Sequence, residues 1–306
     1  MPKRARVTGK QTSSLNDNTL KNEYQKEFES LKESCEELIK KSGKQSKFEE
    51  IFEIEDEEIF MNAYTRMVLI GEFLTNKYAW AIPDNTAIRI CKNFEPLIEI
   101  GCGKGYWNFL LQANNIEISS FDKEFDEGED GKWSNNVKIG GPNKLKEKQF
   151  NKCNLFLCYP DQDSELGLKC LENLNENVEY VLHVGELMQT GTVIGNYDQR
   201  PFGRTSSSEF QVLLNQKFHC VIQHKLPSFP IGRDYLTVWK RTEFIEAPCL
   251  TANADPDAED DGDGDGDGDE EDNENTNLWA SIPLDEHLPL NVAAPKYKFL
   301  LDDDKI

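Results

Sequence analysis

Apolar residues recur along this chain with two different periods, and the switches between them outline its elements. From Leu20, the positions Leu20, Tyr24, Phe28, Leu31, Cys35 and Leu38 fall at spacings of four, four, three, four and three. That is the period of an amphipathic helix with a coiled-coil-like stripe. The stripe falls short of three full heptads, so packing on its own domain is expected, with partner or self association as the sharper alternative. A second helical stretch, 55–78, carries Ile59, Phe60, Tyr64, Met67, Val68, Phe73 and Leu74 on one broad side. Pro83 breaks the pattern, and Asp84 is placed to cap a short helix bearing Ala87, Ile88 and Ile90. Beyond it the apolar residues gather into short runs at 97–100, 116–121, 137–139, 153–158, 178–184, 218–224 and 235–240, with helical stretches between several of them, including 164–174 and 208–214. Such runs suit strands buried on both faces. The expected fold is α/β, a Rossmann-like, seven-stranded, mostly parallel sheet with helices on both faces, spanning about 51–246. Residues 1–50 form a polar extension with the amphipathic helix, 247–276 an acidic linker, and 277–306 a tail that regains apolar residues and either folds back on the core or meets a partner.

One run differs from the rest in how it ends. Leu97-Ile98-Glu99-Ile100 is followed by Gly101-Cys102-Gly103-Lys104-Gly105-Tyr106-Trp107, an acid and then three glycines at alternate positions. Glycine is needed where the backbone turns sharply or a ligand must approach closely. The helix that follows, continued by Leu110 and Leu111, offers unpaired N–H groups at its start to an anionic or polar ligand. The spacing is not that of a dinucleotide-binding turn, which disfavours a nucleotide-dependent oxidoreductase. The next run, Ile116 to Phe121, is followed by Asp122.

Loop and second acid together resemble class I S-adenosylmethionine-dependent methyltransferases. The Tyr78-Ala79-Trp80-Ala81-Ile82-Pro83 segment, the Gly203-Arg204-Thr205 loop and the final Asp234 to Arg241 run are similar to a subgroup of methyltransferase-like proteins. The resemblance implies S-adenosylmethionine as cofactor, a closing antiparallel strand pair, and a cofactor site made by Glu99, Gly101, Cys102, Gly103, Gly105 and Tyr106, with Asp122 on the ribose hydroxyls and Gly140 near the adenine. Trp80 is assigned to packing ahead of cofactor contact. The family places catalytic or substrate-orienting residues at the end of the fourth strand. There the amino-group enzymes often carry Asn/Asp-Pro-Pro-Tyr/Phe, whereas this chain has Cys158-Tyr159-Pro160-Asp161, which argues against methylation of a planar exocyclic amine by that route. Tyr159, Asp161 and Glu186 are the candidates to orient or deprotonate the methyl acceptor. Asp161 is equally suited to capping the next helix, and Glu186 to pairing with Arg204 or Arg233. His183 lies inside an apolar run and reads as a core histidine.

Charge narrows the acceptor. The formal charge is −22, and 255–272 alone holds twelve acids and no base, so removing those twelve leaves −10 on the rest. A bare nucleic-acid backbone would be repelled, although protein, RNA and small molecule all stay open as acceptors. The Gly-Asp run matches the first positions of a calcium loop only because any such repeat would, and it is read as a solvated linker that contacts basic partners. No metal site is expected. The eight cysteines include no C-x-x-C pair and suit a reducing compartment. There is no run of eighteen apolar residues, so no membrane role is expected, and a cytoplasmic protein is. The basic cluster Pro2-Lys3-Arg4-Ala5-Arg6-Val7 resembles a nuclear import signal. The function expected is methyl transfer from S-adenosylmethionine to an unidentified acceptor. The alternative is a catalytically silent methyltransferase fold that works as an interaction module through its N-terminal helix and acidic tail.

Overall fold

Five residues with three glycines, 101–105, follow β1 (Leu97–Ile100) at its carboxyl end, and the other elements are placed around that strand. The computed structural model describes residues 22–41, 43, 47–124, 133–187, 203–242, 284–286, 288 and 293–301. The basic cluster, the Gly-Asp run, Cys249 and most of the loop 190–208 lie outside them. All four residues of β1 are buried. It pairs in parallel with β2 (Ile118–Asp122) and β4 (Asn154–Cys158). Beyond β2 lies the two-residue β3 (Lys138–Ile139), and beyond β4 lies β5 (Tyr180–Gly185). β7 (Tyr235–Arg241) runs antiparallel between β5 and β6 (Phe218–Lys225). The order is therefore β3-β2-β1-β4-β5-β7-β6. This is the mostly parallel, Rossmann-like sheet the apolar runs predict, with the antiparallel pair that the family resemblance adds. The strand order reverses between β1 and β4, and an open sheet of this kind binds ligands beyond the carboxyl ends of its strands at that point.

Helices cover both faces. α1 (Glu23–Lys40) and α2 (Glu57–Lys77) lie together, and α3 (Asn85–Asn93) and α4 (Tyr106–Ala113) pack on the sheet. α5 (Leu166–Asn173) and α6 (Ser208–Lys217) enclose a second core cluster with Ile98, Leu155 and Val181. The stripe of α1 is spent within the chain. Tyr24, Phe28, Leu31 and Cys35 are buried in one cluster with Met67 and Leu74 of α2 and with Tyr106. Asp56 and Asp84 cap α2 and α3 by accepting from Ile59 N at 3.0 Å and Ala87 N at 2.8 Å. α5 starts at Leu166, two residues later than expected, and Ser164 rather than Asp161 accepts from Leu166 N, at 3.1 Å. All seven cysteines among the described residues are free thiols. No helix of the described residues is long and apolar enough to cross a membrane.

Part of the tail folds back on the far edge of the sheet. Ala293 bridges Ile222 of β6 in antiparallel fashion, Ala294 N donates to Val221 O at 2.9 Å, and Arg89 Nε donates to Leu300 O at 2.8 Å. β6 would otherwise present an open edge, and the tail covers it where Cys220 and Ile222 bulge. The buried Glu286 anchors this return, accepting from Lys240 Nζ at 2.7 Å and from Lys296 Nζ at 2.6 Å. Burial pushes the Glu286 carboxyl up, but the two ammonium groups outweigh it and hold it below the usual carboxylate range. A carboxyl whose folded pKa is depressed stabilises above its unfolded pKa and loses that contribution as pH falls through the lower folded one. Docking of the tail should thus weaken below about pH 4. At pH 7 a Glu286→Ala substitution should cost about 2 kcal/mol in urea unfolding, because it leaves the half-buried Lys240 with only Glu179, 3.9 Å away.

Candidate functional site

After Ile100 the chain turns at once. Gly101, Gly103 and Gly105 take φ values of +80°, +54° and +78°. At Gly101 a Cβ would lie 2.6 Å from Leu166 Cδ2, whereas at Gly103 a Cβ would meet nothing within 4 Å. The first glycine lets α5 approach, and the second opens onto a cleft. Gly105 is the N-cap of α4, which begins without a side-chain cap. Asp122, at the end of β2, reaches across to this turn. Its Oδ2 accepts from Gly103 N at 2.8 Å and its Oδ1 from Glu124 N at 3.3 Å. The carboxylate thus fixes the glycine turn and still has lone pairs for a ligand hydroxyl.

Glu99, in register with Ser120, is buried to 1% exposure at the back of the cleft. It ends a chain of hydrogen bonds: Ser134 Oγ donates to Asn108 Oδ1 (2.6 Å), Asn108 Nδ2 to Ser120 Oγ (2.7 Å), and Ser120 Oγ to Glu99 Oε2 (2.5 Å). Burial pushes the Glu99 carboxyl up to about 7, against the Ser120 hydrogen bond and with the help of Asp122. The folded chain therefore holds this proton more tightly than the unfolded one, and stability falls as pH rises from the ordinary carboxylate value through about 7. Glu99→Gln should match the wild type near pH 4 and exceed it by about 3 kcal/mol at pH 8 in urea unfolding.

The cleft itself has a volume of about 520 Å³ and brings together Glu99, Gly101, Cys102, Gly103, Asp122, Gly140, Tyr159 and Asp161. Gly140 lies where a Cβ would press on Phe121 at 2.8 Å. Cys102 reaches the cleft as a thiol, since burial and then the charges of Glu99 and Asp122 push its pKa far up. Gly105 sits behind the wall, packed on Val137. Tyr106 is turned away altogether. Its hydroxyl donates to Asn22 Oδ1 at 2.8 Å and accepts from Tyr24 N at 3.3 Å, so the first side chain of α4 serves to seat α1. Trp80 departs in the opposite direction from its expected packing role: it is 63% exposed and stacks on Tyr159 at a centroid distance of 6.1 Å.

A second cavity, about 410 Å³, shares Thr75, Trp80, Tyr159 and Asp161 with the cleft and adds Glu186, Arg204, Thr205, Phe229, Ile231, Gly232 and Asp234. Tyr159 and Asp161 have φ of +50° and +70°, a left-handed backbone that only tertiary context holds. Asp161 Oδ1 accepts from Asp163 N at 3.1 Å, so its side chain steadies the turn instead of capping α5. Glu186, a candidate to deprotonate the acceptor or to pair with Arg204 or Arg233, accepts two backbone amides. These are Arg204 N on Oε2 at 2.9 Å and Arg233 N on Oε1 at 3.1 Å. It ties the loop after 203 to the turn before β7. Asp234 occupies the position that sequence reasoning passed over. It is buried, its Oδ1 accepts from Tyr159 Oη, and Oδ2 accepts no hydrogen bond among the described residues. Burial pushes its carboxyl up to about 7; the Tyr159 hydroxyl opposes this and the Glu186 charge adds to it. The Tyr159 hydroxyl is pushed well above its ordinary range by burial and then by Asp234, so it acts as a donor. His183 is a core residue, tilted against Phe210 with ring centroids 5.4 Å apart and held neutral by burial with its pKa near 3, and neither ring nitrogen has a partner among the described residues.

No protein-family model matches the sequence, and no curated protein is significantly similar to it. Solved structures to which the chain is similar include the Burkholderia thailandensis 1,6-didemethyltoxoflavin-N1-methyltransferase with bound 1,6-didemethyltoxoflavin and S-adenosylhomocysteine (16% identity, TM-score 0.36, covering 59% of this chain and 86% of that one). Human N-acetylserotonin methyltransferase with S-adenosylmethionine (12%, TM-score 0.34, 71% and 66%) and an Archaeoglobus fulgidus S-adenosylmethionine-dependent methyltransferase (15%, TM-score 0.33, 61% and 100%) are two others. At this similarity they carry no argument, and the reading of fold and site rests on the chain's own geometry.

Proposed function

We propose that the chain is an S-adenosylmethionine-dependent methyltransferase, in which the cleft takes the cofactor and the adjoining cavity takes the methyl acceptor. The observation that carries the reading is the junction of two cavities at Tyr159 and Asp161, at the carboxyl ends of the strands where the sheet order reverses. Glu99, Gly101, Cys102 and Gly103 would cradle the methionine part, Asp122 the ribose hydroxyls, and Gly140 the adenine side. The positively charged sulfonium would then lie among Glu99, Asp122 and the aromatic face of Trp80, an environment that suits a cation. Methyl transfer needs the nucleophile in line with the S–CH3 bond, so holding two ligands end to end would supply most of the acceleration. The buried Asp234 beside the junction favours this reading over a catalytically silent fold, which has no use for a buried carboxylate opening on a cavity.

The test is transfer of labelled methyl groups from S-adenosylmethionine to small-molecule, protein and RNA fractions of a cell extract, by the full chain and by Gly103→Val. The valine side chain would enter open space in the cleft and displace the cofactor, but it is strained at a φ of +54°, so circular dichroism first establishes that the variant is folded. Label carried by the wild type and not by the variant supports the enzyme. Cofactor binding with no label in any fraction supports the silent fold.

A further inference from the structure

We propose that the second cavity takes an alkylamine carried on an apolar body as its methyl acceptor, an inference that rests on the methyltransferase reading above. Three carboxylates, Asp161, Glu186 and Asp234, line this one cavity, and the single described basic residue on its wall, Arg204, is not free. An acceptor bearing a carboxylate or phosphate would be repelled, whereas an ammonium group would be drawn in. The rest of the wall is apolar. Trp80 and Tyr159 stack with their planes 14° apart, and Phe229 and Ile231 line the same cavity. Carboxylates beside aromatic faces are how proteins hold organic cations. A volume of about 410 Å³ suits a small metabolite or one amine-bearing side chain.

The same residues provide for the proton. An ammonium ion has no lone pair, so it must first surrender a proton. Asp234 Oδ2 is open to receive it while Tyr159 Oη donates to Oδ1 and fixes the carboxylate. The freed nitrogen lone pair then attacks the sulfonium methyl carbon. The N–C bond forms as the S–C bond breaks, and that electron pair stays on sulfur. The products are a neutral thioether, an N-methylammonium ion and a protonated Asp234, which returns its proton to water. The chemistry differs from that of a planar exocyclic amine, whose nitrogen is already uncharged and gives up its proton only during or after attack.

The experiment uses the full chain and three probes of one shape: 2-phenylethylamine, 2-phenylethanol and 3-phenylpropionate. S-adenosylhomocysteine is titrated first, and the probes are then titrated into the loaded protein. The amine should bind at least about tenfold more tightly than the alcohol, and the carboxylate more weakly than either. In an Asp234→Asn variant that still binds S-adenosylhomocysteine, the preference for the amine should shrink by at least half. Equal or tighter binding of the alcohol or carboxylate, or no binding of any probe to loaded protein, overturns the amine assignment and leaves the cofactor site standing. Failure of S-adenosylhomocysteine to bind folded protein overturns both.

Discussion

Replacing Asp122 with alanine should weaken S-adenosylmethionine binding by about 100-fold, at the upper end of what one ionised hydrogen-bonding group contributes. Two losses combine in that figure. The carboxylate would no longer accept from the ribose hydroxyls, and Gly103 N would lose the acceptor that now sits 2.8 Å away and fixes the glycine turn. Asp122→Asn separates the two. Its amide oxygen can still accept from Gly103 N, so the turn should hold, and the remaining drop of about tenfold should report the charged contact to the ligand alone. Isothermal titration of both variants checks the pair. Equal binding by wild type and alanine variant would place the cofactor elsewhere.

Asp234→Asn should have the larger effect on turnover. Removing a positioned proton acceptor slows transfer by about 100-fold to 10,000-fold, and here kcat should fall while cofactor affinity stays within about twofold, because Asp234 lines only the second cavity. Tyr159→Phe removes the donor to Asp234 without removing the base, and about a tenfold loss is expected, since the carboxylate is left buried but unanchored. Rate measurements at saturating S-adenosylmethionine, with the acceptor found by the labelling experiment, distinguish these outcomes. Turnover of Asp234→Asn at the wild-type rate would remove Asp234 from the chemistry.

What could be read from the sequence was local. The run into Gly101, the alternate glycines and Asp122 sit close together in the chain, and their backbone conformation follows from residue types within a few positions. The strands were legible for the same reason, each a short apolar run between turn signals. Three features depended on distant parts of the chain. Tyr106 opens α4, and whether its ring faced the cleft or the helices behind it was decided by Asn22, 84 residues earlier. Asp234 looked like the polar start of a last strand until Tyr159, 75 residues away, was found to donate to it across the cavity. Glu186 had its arginine neighbours predicted, but their backbone amides and not their side chains reach it, a distinction that loop geometry makes and residue identity does not. Trp80 was judged by its size. Large aromatics usually pack inside, whereas this one is 63% exposed and lines both cavities.

The central claim is that the glycine-lined cleft binds S-adenosylmethionine, and calorimetric titration of the full chain with that cofactor tests it most directly. The account predicts one site per chain with a dissociation constant on the order of micromolar, abolished in a Gly103→Val protein that retains the wild-type circular dichroism spectrum. A folded wild-type chain that takes up no S-adenosylmethionine, or a Gly103→Val chain that binds it as tightly as the wild type, would contradict it.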